Sequence, residues 1–224
     1  MKSHGTSILN SLAEVGVERA VRATDPAFGY KVMSVKHYQH ARFAQTYRDL
    51  LVDPQCSEAC RFFLDELYGL GDFSLRDAQF AKIVPALCRL FPDDVVAMVQ
   101  ALAQLHALSE QLDSEMARHV TGRELGTNDY ANAWHLTGRP DLRVSQRKLL
   151  QTIGAALQLY TRKPLLKHAL RAMREPAKAA GLSDLQRFLE KGFTVFGKIK
   201  DAKKFMATVN QRETEIAEKL FADT

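Results

Sequence analysis

The sequence predicts an all-α protein: a single compact multi-helix bundle of roughly nine helices, with no sheet, spanning residues 1–224 as one domain. Three observations predict it. Apolar residues recur at three- and four-residue spacing along nearly the whole chain. No stretch alternates with a period of two and is rich in β-branched residues, as a strand would be. Proline and glycine punctuate the pattern at short intervals, yet no linker is long enough to mark a domain boundary.

Each element follows from local signals. The first helix is expected from about Ser7 to Arg22, broken by Thr24-Asp25-Pro26 and Gly29. A second covers roughly Lys31 to Leu51, and Pro54 suits the first turn of a third that ends near Tyr68, with Gly69 just beyond. The fourth opens at Ser74. Ser74-x-x-Asp77 has the form of a capping box and Phe73 that of a hydrophobic staple; Pro85 predicts a kink near 81–84. Pro92 starts the longest helix, to about Val120, and a short one follows near Asn128–Leu136 between glycines. Asp141 begins a long helix toward Met173 that Pro164 kinks or splits. Ser183 opens a helix to about Phe196, and Asp201 the terminal one to Phe221.

Apolar residues at 46% and charged residues at 25% place the chain among soluble globular proteins. No apolar run reaches the ~18–20 residues of a membrane span, so no membrane partner is expected. The N-terminal residues are amphipathic rather than signal-like. Three cysteines argue against a disulfide framework and for a reducing, cytoplasmic setting. Cys56 and Cys60, four apart, are expected as small buried residues.

The segment Phe62–Asp77 concentrates acidic and aromatic residues around two glycines. Two carboxylates near a tyrosine suit acid–base work. The commoner use is structural: Phe62, Phe63 and Leu67 bury a face, Asp77 and Ser74 cap the next helix reciprocally, and Arg76 pairs with Asp65 or Glu66. A corner of the architecture is therefore expected here rather than a site. Tyr130 and Trp134, one turn apart on the short helix, suit either core packing or the cap of a pocket.

Candidate ligands for a metal or haem are His37 and His40, three apart, and His106, Glu110 and Asp113, which share one helical face. No Glu-x-x-His occurs, so the four-helix di-iron pattern is absent. Phosphate-loop, dinucleotide, zinc-protease and nucleophile-elbow motifs are absent too. Charge provides the other candidate. Residues 139–204 carry 16 basic and 5 acidic residues. Lys163, Lys167, Arg171 and Arg174 fall at helical steps, and Arg143 and Arg147 form a similar pair upstream. No helix-turn-helix or zinc-finger pattern accompanies them, so nucleic acid is not the expected partner.

The string FFLDELYG…DFS…RD at Phe62–Asp77, with LQRFLEKGFTVF at Leu185–Phe196, resembles an uncharacterised family of helical bacterial proteins. The resemblance implies a helical fold and transfers no activity, cofactor or functional residue. The expected function is a non-catalytic binding or regulatory protein whose basic C-terminal half meets an anionic ligand or an acidic protein surface. The alternatives are a haem- or metal-binding bundle enzyme or cofactor carrier, and a homo-oligomer built on a spare apolar face.

Overall fold

A computed structural model describes residues 3–122 and 125–222, and these are helical with no strand among them. The helices are α1 (Ser3–Thr24), α2 (Pro26–Thr46), α3 (Arg48–Val52), α4 (Ser57–Phe62), α5 (Ser74–Leu90), α6 (Asp93–Ala117), α7 (Thr127–Thr137), α8 (Pro140–Tyr160), α9 (Pro164–Ala172), α10 (Arg174–Ala179), α11 (Ser183–Lys198) and α12 (Ala202–Ala222). There are more of them than the nine expected, because two predicted helices are divided and α10 forms beyond the expected end at Met173. Pro164 splits the long one into α8 and α9, and Met173 separates α9 from α10. Tyr47 interrupts the second into α2 and α3.

The break between α1 and α2 is shorter than predicted. Asp25 alone separates them: its side chain accepts from the Phe28 N–H, and Pro26 occupies the first helical turn. Gly29 therefore lies inside α2 rather than in a loop. α5 runs on through Pro85. The capping box expected at Ser74 is absent. The Ser74 N–H donates to Asp72 Oδ1 at 2.9 Å and the Asp77 N–H to the Phe73 carbonyl at 3.0 Å. Asp72 thus takes the capping role, which leaves the Asp77 carboxylate available elsewhere.

α6 is the axis of the bundle and packs against α1, α2, α7 and α8. Its alanines Ala101, Ala103, Ala107 and Ala117 are buried and let neighbouring helices approach closely. Three apolar clusters surround it. Ile8, Val84, Leu87 and Val96 join α1, α5 and α6. Val32, Val35, Met116 and Tyr130 join α2, α6 and α7. Phe43, Tyr47, Phe62, Phe63, Phe196 and Phe205 form an aromatic cluster where α2 and α4 meet α11 and α12. A buried polar side chain ties α5 to α11: Gln79 Oε1 accepts from the Leu185 N–H at 2.9 Å, satisfying a donor that the helix start leaves open. The three cysteines are free and buried.

Between α4 and α5 the backbone makes a π-helical turn, Phe63–Leu67, closed by Tyr68 N–H to the Phe63 carbonyl at 2.9 Å. Such turns are rare and frequently accompany functional sites. Gly69 follows it closely. A Cβ there would lie 1.9 Å from the Asp65 carbonyl oxygen, so no larger residue fits.

Candidate functional site

A cavity of about 560 Å³ lies within the bundle. Helical periodicity brings its polar walls together. Arg19 and Arg22 come from α1; Lys36 and Gln39 from α2, with Arg42 one turn on; His106, Ser109, Glu110 and Asp113 from α6; Arg143, Gln146 and Arg147 from α8. Within each helix these positions recur at steps of three and four residues, with Ser109–Glu110 and Gln146–Arg147 adjacent, and so lie toward one face. The loop Tyr68–Phe73 and Asp77 of α5 complete the wall. The segment expected to be only a corner is a corner whose inner side borders this cavity.

The carboxylates of the wall are heavily engaged. Glu110 is 6% exposed and accepts from Arg22 and, at 2.9 Å, from Lys36. Lys36 also reaches Asp113 Oδ2 at 3.2 Å, and Gln39 donates to Asp113 Oδ1 at 2.9 Å. Burial alone would raise the Glu110 carboxyl, but Lys36 and Arg22 outweigh it and pull it down to about 2. Lys36 is held above its usual value against burial by the same two carboxylates. Glu213 takes a bidentate pair from Arg42, both contacts 3.1 Å, and a bond from Tyr47 Oη at 2.8 Å. Asp77 Oδ2 meets Arg19 Nη2 and His106 Nε2, each at 2.8 Å. Burial opposes ionisation of Asp77 too, but His106, Arg76 and Arg19 hold its carboxyl below the usual range.

The donors are not matched in the same way. Arg143 is buried, at 6% exposure, and no described carboxylate lies within ion-pairing distance of it. Its contacts are Gln146 Oε1 at 3.3 Å, Met116 Sδ at 3.1 Å and the Trp134 ring, 3.8 Å from guanidinium carbon to ring centre. Burial pushes the guanidinium below its usual value. Arg147, one turn along α8, is half-buried and pairs with none of the described residues. Trp134 Nε1 and Arg42 Nε are sealed N–H groups without an acceptor among the described residues. A buried cation with no described counter-charge is costly in an empty cavity and favourable around an anion.

The predicted site residues therefore divide. Arg143 and Arg147 line the cavity, as do His106, Glu110 and Asp113. Lys163, just before α9, and Lys167 and Arg171 on it stand exposed, outside the cavity. Arg174 does not continue their stripe: it opens α10 and makes a two-point contact with Glu190 of α11, 2.7 and 2.5 Å. His37 is exposed and His40 half-buried, and neither lines the cavity. Among the described residues no three His, Cys, Asp or Glu side chains gather as a metal-binding group. Sequence reasoning missed Arg22, Lys36 and Arg42. A signal exists for two of them: Ile8, Val15 and Arg22 recur every seven residues, and so do Val35 and Arg42, placing an arginine at the end of a buried apolar stripe.

A family model described as a domain of unknown function (DUF8198) matches residues 18–224. The chain belongs to this family. No curated protein and no solved structure matches it. The matched span contains every cavity residue named above, while Leu12, which also lines the cavity, precedes it. No helix among the described residues is long and apolar enough to cross a membrane.

Proposed function

We propose that this protein binds a small organic anion in the central cavity, with the anionic oxygens received by Arg143 and Arg147. The observation that carries the reading is the buried Arg143 guanidinium without a carboxylate partner. An anionic group placed there would supply the missing counter-charge and accept charge-assisted hydrogen bonds. The apolar parts of the wall, including Phe43, Phe63 and Leu150, suit an organic body rather than a bare inorganic ion. The anion-binding role expected of the basic C-terminal half is thereby assigned to its inward-facing pair. The donor set argues against a resident cation: Glu110, Asp113, Glu213 and Asp77 are already paired with lysine or arginine.

Trp134 is the single tryptophan, so its fluorescence reports on the site without labelling. Titration with benzoate should change the emission saturably. Arg143→Gln should weaken the apparent affinity at least about tenfold, in line with loss of a charged hydrogen-bond partner. An unresponsive tryptophan, or equal affinity in the variant, overturns the reading.

A further inference from the structure

We infer that the ligand carries a hydroxyl or N–H donor at the end away from its acid group, and that His106 receives it. This rests on the anion-binding reading above and specifies the ligand's other end. Asp77 is ionised and accepts from His106 Nε2 at 2.8 Å, so that nitrogen carries the proton in the neutral ring. The lone pair is therefore on Nδ1. Nδ1 makes no hydrogen bond to any described residue, and it is not among the nitrogens sealed from solvent. Among the free groups of a donor-rich cavity it is an acceptor.

A chain of contacts relates this acceptor to the anion site. Arg143 Nη1 donates to Gln146 Oε1 at 3.3 Å, and Gln146 Nε2 donates to Ser109 Oγ at 2.9 Å. His106 sits three residues before Ser109 on α6, ~4.5 Å along the axis. The two stations thus lie on adjoining walls of the same cavity. Apolar residues accompany both: Phe80 lies one turn beyond Asp77, Leu102 one turn before His106, and Leu150 one turn beyond Gln146, and all three line the cavity. An aromatic acid with a ring hydroxyl has the matching order of groups: anion, apolar plane, donor.

The pair also reads as a fixed tautomer rather than a free histidine. Asp77 is also held by Arg19 Nη2 at 2.8 Å on the same oxygen and by Arg76 Nε at 3.5 Å on the other, so its orientation does not depend on His106 alone. Glu110, the other carboxylate near Arg19, is 3.9 Å from that guanidinium and is engaged by Arg22 and Lys36.

Calorimetric titration of the full chain at pH 8 with benzoate, 4-hydroxybenzoate and 4-methoxybenzoate tests the inference. The hydroxy acid should bind roughly tenfold more tightly than benzoate, and the methoxy acid, of similar bulk but without a donor, no more tightly than benzoate. His106→Phe keeps a ring in place and should bring the hydroxy-to-benzoate ratio to about one while leaving benzoate affinity within about twofold. Equal binding of the hydroxy and methoxy acids overturns the inference without recourse to a variant, and so does an unchanged ratio in folded His106→Phe. Either result leaves the anion site standing if benzoate still binds through Arg143. Failure of all three acids to bind at about 10 mM removes both the anion site and its extension.

Discussion

The Arg143 guanidinium stacks 3.8 Å above the centre of the Trp134 ring while no described carboxylate pairs with it. Cation–π attraction offsets part of the desolvation penalty of that charge, on the order of 1–2 kcal/mol, and leaves the rest uncompensated. This pairing makes the cavity wall a candidate binding surface and not simply a packed interior.

Replacement of Arg143 by Met should therefore separate stability from binding. Without ligand, urea unfolding is expected to show the variant as stable as the wild type or more so by about 1 kcal/mol, since a buried unpaired charge is removed. Benzoate should then no longer stabilise it. A loss above about 2 kcal/mol would make Arg143 a structural residue.

Glu110 sets an acid limit. Its carboxyl titrates near 2 in the fold against 4.5 in the unfolded chain, a depressed value, so it contributes stability above about pH 4.5 that disappears as pH falls toward 2. The magnitude is on the order of 3 kcal/mol. Asp77 acts in the same direction. Urea midpoints measured across pH 2–6 should fall steeply below about 4.5, and Glu110→Gln should flatten that slope while lowering stability at pH 7 by about 3 kcal/mol.

Gly69 anchors the π-helical turn that walls the cavity. Because a Cβ would lie 1.9 Å from a backbone oxygen and 2.9 Å from the Phe73 ring, Gly69→Ala should destabilise by more than about 2 kcal/mol. Thermal melting followed by circular dichroism would register it. A neutral result would mean the turn relaxes without consequence.

The α9 stripe is independent of the cavity. Reversing Lys163, Lys167 and Arg171 to Glu together should leave benzoate affinity within about twofold and stability within about 0.5 kcal/mol, since these side chains are exposed and form no described ion pair. Calorimetry on the triple variant decides the point. A large drop in affinity would move the anion site from the interior to the surface.

The family resemblance on Phe62–Asp77 and Leu185–Phe196 led to the correct class of object, a helical domain of a family without assigned function. It did not indicate that the same motif borders a cavity. Ser74 and Asp77 have the spacing of a capping box, and local chemistry alone favours that use. Asp72 competes successfully for the Ser74 N–H because it sits two residues away with no cost in reach, while Arg19 and His106, which are remote in sequence, draw Asp77 inward.

The amino-acid sequence by itself determined the helical class, the boundaries at Pro92, Gly138 and Pro164, the buried cysteines and the helical face shared by His106, Glu110 and Asp113. All of these depend on residues within a few turns of one another. Only the tertiary structure decided which charges face inward. Arg143 and Lys167 are equally basic and equally well placed on helices, but α8 turns its Arg143 face against α6 and α7 whereas α9 presents Lys167 and Arg171 to solvent. Burial of a charge is a property of what packs over it, and that depends on contacts between elements distant in the chain.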